Sequence, residues 1–271
     1  MNLSFPLFLA AIVGISAHSV PGMEKAALNQ GQLQPRKEHR AEISAVSEST
    51  AQFSCDTLVY GLNADDCAYM AAIGMAGQGE NSLTDNGLMW IGSDGPNTFT
   101  FVNAAGMPIT LIMWRTSAMD NQAAFMNARP PLISYSLPTT GSAIEISIDN
   151  SISGGWSSLY NHETTLTQYG QVSNTFGEFS TGTFATVDVS SLVNMSGNPM
   201  TIVVDSGCVS DMNTCVYKCN AETENMCGAS RSYSLLNCAG HNAVVSNDQF
   251  GNPTGGCQGW TYGGHIDVIM T

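Results

Sequence analysis

The sequence predicts an all-β protein: a sandwich of two packed sheets with a disulfide-rich loop lobe toward the C-terminus. Three observations predict it. Short stretches alternate polar and apolar residues with the period of two that a half-buried strand requires, as in Thr98-Phe-Thr-Phe-Val-Asn103 and Ile144-Glu-Ile-Ser-Ile148. Turns containing Gly and Pro separate these stretches at short intervals, without the helical crossovers of a parallel α/β sheet. All eight cysteines fall at or after Cys55, and Cys208, Cys215, Cys219, Cys227, Cys238 and Cys257 crowd the final third.

Taken in order, residues 1–17 read as a secretory signal peptide. Leu7 to Gly14 (LFLAAIVG) form a short apolar run and Ile15-Ser16-Ala17 a small-residue cleavage site, although no Lys or Arg precedes the run. An even number of cysteines behind such a leader implies disulfides formed in an oxidising compartment. Residues 18–50 lack apolar periodicity and hold four of the eight basic residues, Lys25, Arg36, Lys37 and Arg40, so they read as a disordered pro-segment or a flexible arm. Residues 51–97 read as a small lobe packed on the main domain. In it Cys55 and Cys67 are near enough to pair, Asp65-Asp66 cap a short helix through Cys67 to Ala72, and Gly74 and Gly77 end that helix.

The sandwich occupies residues 98–271. After the strand at 98–103, the run Ile109 to Trp114 (ITLIMW) is continuously apolar and therefore interior. Strands follow at Ile144 to Ile148, Phe176 to Ser180, Ala185 to Val189 and Met200 to Val204, and the last at His265 to Met270. Sequence leaves the pairing of the six late cysteines open.

Charge excludes two classes of partner. There are 22 acidic and 8 basic residues, and beyond residue 40 the only cations are Arg115, Arg129, Lys218 and Arg231. Such a surface repels phosphate backbones and anionic membranes, whose affinity rests on Lys and Arg; its plain use is to keep a monomer soluble. Behind the leader no apolar stretch is long enough to span a bilayer. No metal or other cofactor is expected. His162, His241 and His265 lack the HExxH spacing, no G-x-S-x-G elbow occurs, and Cys215-x3-Cys219 reads, in a secreted chain, as two disulfide-forming cysteines instead of metal ligands. Asp205-Ser206-Gly207 has the order of an aspartic-protease turn but no second copy, so it reads as a strand end leading to Cys208. Asn194-Met-Ser196 is a glycosylation sequon.

The candidate site comes from the segment Phe176 to Ser190. A two-residue turn at Thr181-Gly182 would put Glu178 and Asp188 on opposite faces; a three-residue turn shifts the register by one. The second register sorts Phe179, Ala185, Val187 and Val189 to one face and Glu178, Ser180, Thr186 and Asp188 to the other. It is the expected one, and it puts two carboxylates on one side of neighbouring strands, a pairing that can serve glycoside hydrolysis or simply keep a sheet face polar.

In order, these pieces resemble the thaumatin-like (osmotin) family. The carriers are Thr98 to Trp114, Gly141-Ser142 with Ile144 to Ile148, Ser153-Gly-Gly-Trp156, Thr175-Phe-Gly-Glu178-Phe179, Thr186-Val-Asp188-Val-Ser190 through Pro199-Met200, and the cysteine lobe after them. The resemblance spans residues 98 to 270 and implies a thaumatin-like sandwich with an acidic cleft that binds β-1,3-glucan, lined by Glu178, Asp188 and, from the cysteine lobe, Asp248. It departs from the family where the cleft arginine would fall, at Gly154 or Gly155, where the remaining aspartate would fall, at Val193 or Asn194, and in holding half the usual cysteines. The leader, arm and acidity also look like fungal small secreted proteins, some of which act as effectors on a host.

The expectation is thus a secreted, non-catalytic binding protein for cell-wall polysaccharide or a host protein, with Trp156, Tyr160, Trp260 and Tyr262 as rings for stacking on sugars. A weak endo-β-1,3-glucanase, with Glu178 as acid and Asp188 or Asp248 assisting, and a structural wall protein are the competing readings.

Overall fold

A computed structural model describes residues 53–116, 129–221, 223–240 and 242–271. The expected leader and arm, and His241, lie outside the described residues.

Alternation builds two sheets. The first has the order β1-β5-β2-β15-β9-β10, formed by Met89–Ile91 (β1), Ala143–Ile148 (β5), Asn97–Asn103 (β2), Gly264–Met270 (β15), Met200–Val204 (β9) and Val209–Asp211 (β10). Its pairs are antiparallel except β2 with β15, which run parallel from Asn97↔Gly264 to Asn103↔Met270. The second follows the order β12-β11-β8-β7-β6-β3-β4 through Tyr233–Leu236 (β12), Val216–Cys219 (β11), Thr186–Ser190 (β8), Phe176–Ser180 (β7), Ser153–Tyr160 (β6), Ile109–Arg115 (β3) and Ile133–Leu137 (β4). A hairpin of Ala243–Asn247 (β13) and Pro253–Cys257 (β14) joins it where Cys257 pairs with Val187.

The sheets share one core. Phe99 and Phe101 of β2 meet Trp156 of β6 edge to face, at ring separations of 5.8 and 5.3 Å. Ile146, Val268 and Ile202 pack from one sheet, and Leu111, Val187 and Val189 from the other.

A second apolar cluster lies on the opposite face of the second sheet, because β3 is buried on both sides. Leu111 and Met113 enter the central core, while Ile112 and Trp114 join Leu159, Val172 and Phe176 beneath Leu62, Cys67, Met70 and Met75 of the N-terminal lobe. That is why the run ITLIMW has no polar alternate. The lobe contains helix α1, Ala64–Ala72, and the expected Cys55–Cys67 disulfide. Its N-cap is Asn63, whose side chain accepts from the Asp66 backbone N–H, so Asp65 and Asp66 occupy the first turn instead of capping it. Gly74, at φ +87°, follows the helix as expected. The lobe ends earlier than residue 97, since β1 already belongs to the first sheet.

The remaining disulfides are Cys208–Cys257, Cys215–Cys238 and Cys219–Cys227, so every cysteine is paired. They staple β10 to β14 and close the loops around β11 and β12.

Candidate functional site

The acid hairpin sorts its faces as expected, but its connection is longer than the expected three-residue turn: Ser180 pairs with Thr186, residues 181–185 lie between the strands, and the register moves accordingly. Gly182–Phe184 form a three-residue 3-10 turn, with Gly182 at φ +87°, a left-handed conformation that favours glycine. Thr181 anchors the turn: its hydroxyl donates to the Asp149 carbonyl at 2.7 Å and accepts from the Ile152 N–H at 2.9 Å. Glu178 therefore lies directly opposite Asp188, and Ser180 opposite Thr186. One rung crosses four strands through Trp114, Gly155, Glu178 and Asp188. Gly155 puts no side chain beside Glu178. A basic residue at neighbouring Gly154 is sterically barred, since a Cβ there would come within 2.4 Å of the Trp114 carbonyl and 2.7 Å of the Phe179 ring.

Asp188 sits where β8 changes partners. Val187 pairs with β14, while Val189 and Ser190 pair with β11, so two strands of the cysteine lobe diverge around the carboxylate. Gly256 lets β14 approach: its absent Cβ would lie 2.7 Å from the Val187 carbonyl. Tyr217 of β11 lies level with Ser190, two residues beyond Asp188 on β8, and its ring is 6.0 Å from that of Tyr233 on β12.

Burial controls the electrostatics. Asp188 is 6 % exposed, and its Oδ1 has no hydrogen-bond partner among the described residues. Burial, and then the adjacent Glu178 charge, hold its pKa well above the carboxylate range. Glu178, less enclosed, is pushed to about 7 by burial, against a lowering hydrogen bond from Ser190. Burial and the charges of both acids raise Tyr217 far above a normal phenol. Tyr233 rises to about 12 through burial and the charges of Glu178 and Asp248, and its hydroxyl also has no partner among the described residues.

Other expected positions fall elsewhere. Asp248 braces the β13–β14 turn, accepting from the Phe250 and Asn252 N–H groups at 2.8 Å and the Asn252 amide at 2.9 Å. Burial raises its pKa, but these bonds outweigh that and lower it. It acts on the site only as a charge near Tyr233. Trp156 is fully buried and Tyr160 nearly so, both within the sandwich core, and Trp260 is buried too; none offers a ring face to a sugar. Tyr262 is 62 % exposed and bonds Thr183 at 2.7 Å, beside the equally exposed Phe184 of the acid hairpin's turn. Asn194 lies half-buried in a turn, its amide donating to the Ser173 carbonyl at 3.1 Å. Asp205-Ser206-Gly207 is the β9–β10 turn, leading into the Cys208 disulfide as expected.

Sequence reasoning missed Tyr217 and Tyr233. The available signal was their alternation with Val216 and Lys218, and with Ser232 and Ser234, inside the cysteine lobe. It also missed a polar knot at Asp66, 2 % exposed, which accepts from the Ser136 hydroxyl, the Asn63 amide at 3.0 Å and the His162 ring at 2.6 Å.

Two disulfide-stapled sheets with a buried acid pair at a strand fork define an extracellular all-β protein. More particularly, the chain belongs to the Allergen Asp f 4-like domain family, whose model matches residues 93–248, a stretch that includes Glu178, Asp188, Tyr217 and Tyr233. The thaumatin-like resemblance has no family match behind it. No curated protein matches the chain.

Proposed function

We propose that this is a secreted, non-catalytic binding protein, thaumatin-like in type, which engages a neutral cell-wall polysaccharide of the β-glucan class at the Glu178–Asp188 pair. The leader at Leu7 to Gly14 would deliver it to the secretory route. The observation that carries the reading is the pair itself, two carboxyls directly opposite on neighbouring strands with raised pKa values. In a mildly acidic medium such carboxyls hold protons. They can then both donate to and accept from sugar hydroxyls without stripping water from a full charge. The absence of a side chain at Gly155 leaves one flank of Glu178 unfilled by its neighbour. The exposed rings of Phe184 and Tyr262, at the turn of the same hairpin, are the residues available for stacking.

Enclosure of Asp188 favours binding over cleavage, because a glycosidase needs both carboxyls at the scissile bond. One observation supports the glucanase reading: a Glu178 pKa of about 7 suits a general acid. A host protein is the other partner consistent with a secreted acidic surface.

The test is retention of purified protein on insoluble β-glucan, comparing wild type with Glu178→Ala/Asp188→Ala. Retention lost in the folded double variant is the expected result, and folded wild type that passes through unretained removes the proposal. Reducing-sugar release from laminarin, abolished in Glu178→Gln, would replace binding by hydrolysis.

A further inference from the structure

A strand at the edge of a sheet carries unpaired backbone N–H and C=O groups, and folded proteins guard such edges by shortness, charge, proline or a covering segment. β1, β4 and β10 are guarded. The Ile91 N–H of β1 donates to the Ser82 carbonyl at 2.8 Å. β4 lies under the N-terminal lobe, where the Ser136 N–H donates to the Gly61 carbonyl at 2.9 Å and the Ser134 N–H to the Asn81 side chain at 2.9 Å. β10 is three residues long and ends in Asp211.

β13 has no such guard. Its five residues, Ala243-Val-Val-Ser-Asn247, include neither a charge nor a proline, and β14 is its one neighbour among the described strands. Val244 to Asn247 are all exposed, Val245 by 51 %. The ladder shows which backbone groups are free. Antiparallel pairs alternate between those that exchange hydrogen bonds and those whose N–H and C=O point away. At the two ends of the hairpin the Gln258 N–H donates to the Asn242 carbonyl at 2.7 Å and the Asp248 N–H to the Asn252 carbonyl at 2.9 Å. Alternation between these ends makes Val244 and Ser246 the bonded residues and turns the N–H and C=O of Ala243, Val245 and Asn247 outward. Pro253 fits this phase, since it stands opposite Asn247 and has no N–H to give. The Ala243 N–H is taken by the Gly240 carbonyl at 3.4 Å. Val245 and Asn247 remain, two residues apart on one open edge.

We propose that this edge pairs antiparallel with the same edge of a second copy of the chain, joining two sheets into one. With Ser246 on the two-fold axis, Val245 of each copy faces Asn247 of the other, and the outward N–H and C=O of both residues all find partners. Charge favours the same occupant. A basic peptide would find no free carboxylate here, since the hairpin's one acid, Asp248, already accepts from the Phe250 and Asn252 N–H groups, and Arg231 lies beside Gly251 of the same turn. A copy of the strand brings no charge to a neutral edge. The net charge of −14 opposes association at long range, and the contact is small, so the dimer is weak and strengthens as salt screens that charge.

The test is sedimentation equilibrium of the purified protein from dilute to millimolar concentration in moderate salt, with amide hydrogen exchange at both ends of that range. Wild type is expected to pass from monomer to dimer. The Val245 and Asn247 amides should then exchange several-fold more slowly, while Val244 and Ser246, bonded within the hairpin, stay as they were. Val245→Pro removes an outward N–H and no hairpin bond, so it should fold, as judged by circular dichroism and Tm, and remain monomeric. If it does not fold, Asn247→Pro takes its place with the same expected result. Wild type that stays monomeric throughout overturns the proposal and leaves the edge to a foreign strand. So does a dimer whose Val245 and Asn247 amides gain no protection, or one that a folded proline variant forms with wild-type affinity.

Discussion

At the scale of single residues, Glu178 and Asp188 link stability to pH. Glu178 moves from 4.5 to about 7 on folding, so between those values the folded chain holds more protons than the unfolded one. Its contribution to stability is complete below pH 4.5 and is lost as pH rises through about 7; the raised pKa of Asp188 acts in the same direction. Wild type is therefore expected to lose on the order of 1–3 kcal/mol to this group across that range. Glu178→Gln should flatten that part of the profile and be the more stable protein at its upper end. Urea midpoints measured at both ends of the range decide it, and an unchanged slope in the variant would assign the linkage to other groups.

At the scale of elements, the outcome depended on whether a strand's pattern was set by one covering layer or two. β2 and β5 alternate cleanly because only one face is enclosed, and their limits were legible within a residue. In β7 and β8 the sorting of Phe179, Val187 and Val189 from Glu178 and Asp188 was legible. The exact pairing was not, because every shift by two residues sorts the faces alike and the length of the connection decides among them. β6 was not legible. Ser153-Gly-Gly-Trp-Ser-Ser-Leu-Tyr160 has the small polar residues of a loop, yet nearly all of it is buried between β3 and β7. Trp156 explains the composition: its indole lies over Gly177 on β7, where a Cβ would fall 2.0 Å from the ring. Gly177→Ala should cost on the order of 3 kcal/mol, because neither the core tryptophan nor the strand can withdraw. Thermal denaturation tests this, and a variant with unaltered Tm would show that the indole can move aside.

At the scale of the whole molecule, the chain closes on itself. β15 lies inside the first sheet, parallel to β2 and antiparallel to β9, so nearly the entire domain is threaded before its last strand can dock. The family match ends at residue 248, sixteen residues short of that strand's first residue, Gly264. Deleting Gly264–Met270 should leave Phe99, Phe101 and Ile202 without a cover and abolish folding; a truncated chain that stayed soluble with native near-ultraviolet dichroism would contradict this.

The sequence by itself determined the all-β class, the strands with one open face, the Cys55–Cys67 pair and the placement of Glu178 and Asp188 on one face of neighbouring strands. Each is set by a two-residue period or a short separation along the chain. Tertiary structure decided what surrounds them. It buried Trp156 and Tyr160, turned Asp248 into a brace for its own hairpin, paired Glu178 directly with Asp188, and set Tyr217 level with Ser190 beside them. Those outcomes depend on which distant segments come to lie together, and local periodicity carries no record of that.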